Sequence, residues 1–273
     1  METTCYPNCK INLGLRVMRR RTDGYHDIET IFYPVPLCDE LSVRLQGNNC
    51  TRDTFRLDGI PLPSPDDDNL VIQVVKMLRE EGCNIPPLDI RLKKNIPSGA
   101  GLGGGSSDAA YMMKTLNTML QLGMSDTDME QRVARLGADC AFFIKNTPVI
   151  ASGIGNIFSA TAIDLTGMWI WLVKPTDSVS TKEAYQGVHP DDSTQTLWPL
   201  SNKDICWDAL VNDFEDSIFP HHPAIADLKE TMKAHGAIYT AMSGSGATVF
   251  GLYKEKPRTE TLPEDFFSFV TRL

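Results

Sequence analysis

Long apolar runs are missing from this sequence. No stretch of about 18 apolar residues occurs, so a membrane-crossing helix is not expected. An apolar signal core is lacking too, because Lys10, Arg16 and the run Arg19 to Arg21 stand where one would lie. Positive charge is in deficit: 26 lysines and arginines against 35 aspartates and glutamates give a net charge of -9. A long-range field that gathers nucleic acid or an anionic membrane is therefore not expected, and an anionic ligand must be held locally. The seven cysteines include no Cys-x-x-Cys pair and no histidines at zinc spacing. Reduced thiols in the cytoplasm fit that pattern better than a disulfide framework or a zinc site.

What is present describes an ordinary folded protein. With 273 residues, 42% apolar and 22% charged, the chain is long enough for two packed domains. Cys9, Ile11, Leu13, Leu15 and Val17 alternate with Lys10, Asn12, Gly14 and Arg16, which predicts a half-buried strand presenting Lys10 and Asn12 side by side, with room left at Gly14. Arg19 to Arg21 run into Thr22-Asp23-Gly24 and read as a solvated turn. Strands are expected over Tyr25 to Val35, Glu40 to Leu45 and Leu88 to Leu92, with a proline- and aspartate-rich loop from Leu57 to Asp68 and a helix from Asn69 to Glu81. A long helix opens at Ser106, a second covers Asp126 to Leu136, and Ala141 to Ile144 and Val149 to Ala151 read as short strands. Beyond Trp169 to Val173 come a capped helix at Ser180, a connection near Val188 to Ser193, helices around Cys206 to Phe214 and Ala224 to His235, and a final strand. His221 and His222 read as surface residues with no metal role. The class is mixed α+β.

The segment Pro97, Ser98, Gly99, Ala100, Gly101, Leu102, Gly103, Gly104, Gly105, Ser106, Ser107 places five glycines between a strand and a helix. Glycine tolerates positive φ and lets backbone N–H groups approach a ligand, while the helix start adds unpaired donors and partial positive charge. Together with two serine hydroxyls this predicts a polyphosphate cradle. A Walker A loop needs Gly-Lys-Ser/Thr, and no lysine occurs between Asn95 and Tyr111. Gly99-x-Gly101-x-x-Gly104 matches a dinucleotide fingerprint in letters, but the acidic residue that should end a second strand is replaced by Ser125-Asp126-Thr127-Asp128, which opens a helix.

The loop resembles that of the galactokinase, homoserine kinase, mevalonate kinase and phosphomevalonate kinase (GHMP) superfamily. Lys10-Ile-Asn-Leu13, Arg21-Thr-Asp-Gly-Tyr-His26, the glycine loop, Leu136-Gly-Ala-Asp-Cys-Ala-Phe-Phe143 and Met242-Ser-Gly-Ser-Gly-Ala247 follow the family's order over nearly the whole chain. Within the superfamily they are most similar to the branch that phosphorylates a cytidine-diphosphate-linked methylerythritol on the non-mevalonate isoprenoid route. The resemblance implies a two-domain fold, with an ATP-binding half of ribosomal protein S5 domain 2-like form over 1–155 and a ferredoxin-like half over 156–273. It implies ATP as co-substrate, magnesium with few or no protein ligands, a monomer or weak homodimer, and no nucleic-acid or membrane partner.

Site residues follow from the same resemblance. Asp139 would accept the hydroxyl proton and Lys10 would supply the nearby cation; from its own surroundings, Asp139 reads first as a residue that stabilises a turn. Asn12 would orient the substrate, Tyr25, His26 and Tyr185 would hold the cytosine, and Ile154 would pack the pocket. Ser243 to Gly246 would support the phosphate loop. Asn8-Cys9 and Asn156 depart from the family's usual alanine and glutamate. Another GHMP kinase acting on mevalonate or homoserine, or a nucleotide-binding protein without turnover, are the rival readings.

Overall fold

In the computed structural model of the chain, the structure describes residues 2–47, 50–62, 68–190, 205–259 and 262–273. The chain divides into two compact units that interleave along the sequence: Met1–Cys9, Leu37–Ser98 and Gly103–Thr147 form one, and Lys10–Pro36, Gly99–Leu102 and Pro148–Leu273 the other.

The first unit is built on β1 (Glu2–Cys5), β4 (Glu40–Leu45), β6 (Leu88–Lys94) and β5 (Thr54–Gly59), in that spatial order. β5 runs parallel to β6 and the other pairs are antiparallel. Leu41 faces Leu92 and Val43 faces Ile90 across the ladder, and all four are buried. Helix α1 (Leu70–Glu80) buries Val71, Val74, Val75 and Leu78, and Asn69 caps it by accepting the Val71 N–H. It packs on α2 (Gly104–Met119), which buries Ala109, Met112, Met113 and Leu116 at helical spacing and rests on β1 and β4. Helix α3 (Asp126–Val133) starts with a reciprocal Ser125–Asp128 capping box.

Two segments of this unit differ from the sequence-based expectation. Ala141 to Ile144 is not a strand: Phe142–Lys145 forms the short helix α4, with all of Phe142, Phe143 and Ile144 buried. A run of four apolar residues carries no period that separates a buried helix from a buried strand. Here the Lys114 ammonium donates to the Phe143 and Ile144 carbonyls and so satisfies the helix end. The start of the expected loop after Leu57 is instead the end of β5, whose alternately exposed residues pair at the sheet edge. Residues 63–67 of that loop lie outside the described residues, as does the later part of the connection near Val188 to Ser193.

The second unit holds two sheets. One has the order β2 (Asn8–Arg20), β3 (His26–Cys38), β7 (Val149–Ser152), β8 (Ile157–Ala160); the other is β10 (Tyr239–Met242), β11 (Val249–Tyr253), β9 (Trp169–Lys174), β12 (Phe267–Arg272). Helix α7 (Pro223–Ala234) packs on β10 and β11 and buries Ile225, Leu228 and Met232 against Trp171, Val249 and Tyr253. The region expected to be helical around Cys206 to Phe214 is a single 3₁₀ turn, Trp207–Ala209, followed by α6 (Phe214–Ile218). The turn after Arg21 is as expected, with Arg19 on Asp27 and Arg21 on Asp23 and Asp27 in exposed ion pairs that contribute little stability.

β2 is buried on both faces, not half-buried. Its polar face is covered by hydrogen-bonding partners: Gly14 N–H donates to the Tyr239 hydroxyl and the Gly14 carbonyl accepts from Thr30, which buries Gly14.

The first unit also buries a charge cluster directly before the glycine loop. Lys94, Asp39 and Asp108 are 3%, 0% and 2% exposed. The Lys94 ammonium bonds Asp39 and lies 2.6 Å from Asp108 Oδ2. Asp39 Oδ1 also accepts the Asn95 and Ile96 N–H groups at 2.6 and 2.8 Å. One cation between two carboxylates leaves an excess negative charge, and burial pushes the Asp108 carboxyl up to about 7 against the pull of Lys94. Replacing Lys94 by Met removes the cation between two buried acids. A loss of about 3–5 kcal/mol is expected in urea unfolding, since one partner of a buried ion pair has gone. An unchanged midpoint would show that the cluster is not held by Lys94.

Candidate active site

The glycine loop is contributed by both compact units: Pro97–Ser98 and Gly103–Ser107 lie in the first, Gly99–Leu102 in the second. In the second unit the loop is tied to the strand that carries Lys10. The Lys10 N–H donates to the Leu102 carbonyl at 2.9 Å. Ser243 makes a second tie, its hydroxyl accepting the Asn12 N–H at 3.3 Å and donating to the Gly101 carbonyl at 2.9 Å. Thr248 N–H donates to the Ala100 carbonyl. Gly101 has φ +72°, and a Cβ there would lie 1.9 Å from the Ser243 carbonyl oxygen. The glycine is therefore required by close backbone approach as well as by backbone angle.

Lys10 and Asn12 are brought together as expected. Lys10 Nζ donates to Asn12 Oδ1 at 2.6 Å and sits 4.8 Å from the Phe32 ring centroid. The Asn12 amide in turn donates to Thr30 at 3.0 Å, which fixes which end of the amide faces the lysine. Burial, amide and ring hold the ammonium in one place. Asn212 supports the same corner by donating to the Met242 and Gly244 carbonyls at 2.7 and 2.8 Å. Neither Asn212 nor Thr30 carried a signal in the sequence, because each acts on backbone or on one neighbour.

In the first unit, the loop ends as the start of α2. Its N-cap, Gly103, is left-handed with φ +70°, and no side chain caps the helix. The first-turn N–H groups are therefore left for another acceptor. The Ser107 hydroxyl is fully buried without a hydrogen-bond partner, and around Gly99 an added Cβ would meet nothing within 4 Å. Unfilled donors, an unpartnered hydroxyl and open backbone are what a polyphosphate requires.

Asp139 is half-buried in the tight turn closed by Cys140 N–H on the Gly137 carbonyl at 3.1 Å, immediately before α4. The Ser106 side chain hydrogen-bonds Cys140, linking loop and turn, and burial pushes the Cys140 thiol up to about 11, so it stays protonated. The turn that holds Asp139 is thus closed by the backbone at Cys140.

His26 and Tyr185 are also together, with rings stacked at 4.8 Å and 20°. Tyr185 is buttressed edge-on by Phe214 at 4.8 Å. Burial, aided by the nearby Arg20 charge, moves the His26 pKa down, so the ring is neutral at pH 7 with one donor and one acceptor nitrogen. Tyr25 is 62% exposed, with its backbone held by Asp23 and Arg21. Ile154 sits in the turn between β7 and β8, where Asn156 Oδ1 accepts its N–H at 3.3 Å. Ile28 N–H donates to the Gly153 carbonyl, bringing that turn beside the start of β3. Among the described residues no group of three or more His, Cys, Asp or Glu side chains could hold a metal ion.

Comparison with known proteins identifies the family. The pattern of the GHMP kinases N terminal domain matches residues 69–147 and that of GHMP kinases C terminal matches residues 202–266. The chain is 48% identical, over 98% of its own length and 99% of the relative, to a 4-diphosphocytidyl-2-C-methyl-D-erythritol kinase of Parabacteroides distasonis. It is 45% identical, over 98% and 99%, to the protein of the same name in Bacteroides thetaiotaomicron. A crystal structure of a 4-(cytidine 5'-diphospho)-2C-methyl-D-erythritol kinase superposes with a TM-score of 0.77 at 30% identity, over 92% of this chain and 90% of that one. The Methanococcus jannaschii mevalonate kinase shares the fold alone, with a TM-score of 0.71 at 11% identity over 100% of this chain and 99% of that one.

Two glycines of the loop separate strain from collision. Gly99→Ala is expected to cost only the left-handed backbone penalty of about 1–3 kcal/mol. Gly101→Ala carries that penalty and must also displace the Ser243 backbone, so its nucleotide affinity should fall at least about tenfold further, a difference of about 1.4 kcal/mol. Isothermal titration of both variants checks this; equal affinities would show that the approach to Ser243 does not set the loop.

Proposed function

The chain belongs to the GHMP kinase family, in the branch of the 4-diphosphocytidyl-2-C-methyl-D-erythritol kinases, and from that premise we propose how its residues divide the reaction. It is a phosphotransferase that uses ATP to phosphorylate 4-diphosphocytidyl-2-C-methyl-D-erythritol in the methylerythritol phosphate route to isoprenoid precursors. The acceptor is the 2-hydroxyl. Its oxygen attacks the γ-phosphorus, the bond to the ADP oxygen breaks, and the hydroxyl proton passes to the Asp139 carboxylate.

The observation that carries this reading is the bond from Lys10 N–H to Leu102, which fixes the lysine against the glycine loop by backbone alone. A cation held there acts on the transferring phosphoryl group without moving to meet it. Pro97 to Ser107 would bind the triphosphate through backbone N–H groups and the Ser106 and Ser107 hydroxyls. Asn12 would both orient Lys10 and hold the substrate. Magnesium, bound mainly by the triphosphate, would neutralise its charge. For the base, neutral His26 would offer one donor and one acceptor to the cytosine edge, with Tyr185 and Tyr25 as aromatic surface and Ile154 as packing.

The finer structural assignments are part of the same proposal. An S5 domain 2-like half over 1–155 and a ferredoxin-like half over 156–273 are supported by matched segments that fall one in each. The lack of a nucleic-acid partner fits the net charge of -9, and a cytoplasmic monomer or weak homodimer is part of the same proposal. Among the described residues no helix is long and apolar enough to cross a membrane.

A coupled assay with ATP and the cytidyl substrate tests the assignment. Asp139→Asn should lower kcat about 10²- to 10⁴-fold, the usual contribution of a general base, with ATP affinity retained. Full activity in that variant would remove Asp139 from the chemistry, and turnover of mevalonate in place of the cytidyl substrate would overturn the choice of substrate.

A further inference from the structure

One charged cluster of the second unit takes no part in the reaction as described. His222, expected at the surface, lies just before Pro223 at the start of α7, with its side chain only 17% exposed. Its Nδ1 is 3.2 Å from Asp177 Oδ2 and its Nε2 is 2.9 Å from Glu183 Oε1. A neutral imidazole has one N–H and one lone pair, so one of these contacts would set a lone pair against a carboxylate. Only the imidazolium donates at both nitrogens.

One carboxylate stands in the helix that carries Tyr185 and the other in the connection that leads to it. Asp177 lies in the turn after β9, where Lys174 Nζ donates to the Pro175 and Asp177 carbonyls at 3.0 Å each. Glu183 stands in the first turn of α5 (Thr181–Gln186), and Ser180 caps that helix by accepting the Glu183 N–H at 3.1 Å. The Glu183 side chain points to His222. A six-residue helix is too short to persist alone and depends on what holds it. Ser217 donates to the Ala184 carbonyl at 3.0 Å, and a Cβ at Gly187 would lie 2.6 Å from Ser217 Cβ, so the middle and end of α5 are fixed by α6. At the beginning of α5 Thr181 lies 3.5 Å from the Ser245 hydroxyl, and His222 is the side chain that bonds both the first turn of α5 and the connection before it, where Lys174 holds the backbone.

We propose that His222 is a positioning residue for the cytidyl substrate: as an imidazolium it clamps Asp177 to Glu183, sets α5, and thereby aligns the Tyr185 ring on His26. This rests on the reading of Tyr185 and His26 as the base-binding pair. The charged groups facing His222 are Asp177 and Glu183, with Lys174 beside the first and His221 acting on the second. The bond to Glu183, against the opposing effect of burial and helped by Asp177, moves the His222 pKa up. Glu183 moves down, chiefly through the same bond. The clamp is therefore complete below the ordinary histidine value and is lost as pH rises through the raised one.

The test is the KM for the cytidyl substrate from pH 6 to 9 in the wild type, His222→Gln, His222→Lys and Tyr185→Ala, with the His222 ring titrated by NMR. In the wild type KM should rise about fivefold across the His222 titration, the lower end of coupling between linked sites, while kcat and the KM for ATP do not follow it. His222→Gln should show the high KM at every pH. His222→Lys, which keeps a cation with several donors, should keep KM low throughout. A wild-type profile retained in His222→Gln, or a His222 ring that titrates at or below the ordinary value, overturns the clamp. Tyr185→Ala separates the two readings: an unchanged KM there overturns the base pocket itself, whereas a raised KM beside a normal His222→Gln overturns the clamp alone.

Discussion

The Ser243 hydroxyl takes a proton contact from one strand and gives one to the loop, and this corner of the second unit is arranged around that relay. Accepting from Asn12 N–H and donating to the Gly101 carbonyl, it ties the end of β10 to both the strand of Lys10 and the loop. Each partner is then held a second time: Asn12 by Thr30, Leu102 by Lys10, Ala100 by Thr248, and the Gly244 carbonyl by Asn212. These bonds are mostly buried and uncharged, so they fix geometry without adding charge beside the loop. Among the residues just named Lys10 is the charged one, and its ammonium is itself confined by Asn12 and Phe32.

Charge is handled differently under the other part of the loop. Lys94 with Asp39 and Asp108 anchors the strand end from which the loop departs and the first turn of α2 to which it leads. Such a cluster is sensitive to losing one member in a way that a neutral pin is not, because the members left behind are charged and buried. The loop is thus held by neutral bonds at its middle and by ionic ones at its ends.

Much of this was legible along the chain. β2, β6, α1 and α2 carry clear periods, Asn69 marks a helix start, and five glycines between strand and helix state a backbone requirement before any partner is known. Lys10 beside Asn12 followed from alternation, and family resemblance named His26 and Tyr185 as pocket residues without foretelling that their rings stack on each other. Other parts were not readable, for physical reasons. Phe142–Lys145 is too short to show a period, and its end is capped by Lys114, about thirty positions away. The burial of both faces of β2 depends on Tyr239 and Ser243, more than two hundred positions away. His222 reads as a surface residue until the fold brings up carboxylates 45 and 39 positions distant.

The approach at Gly101 has a consequence for how this protein can vary. The atom that blocks a side chain there is the carbonyl oxygen of residue 243, a part of the main chain that all twenty amino acids possess. No substitution at 243 can remove it, so a lesion at codon 101 has no simple compensating partner there. A screen for second-site suppressors would have to find changes that shift the backbone of the β10–β11 turn as a whole. That makes Gly101 a position whose history records the path of the main chain rather than the chemistry of any neighbouring side chain.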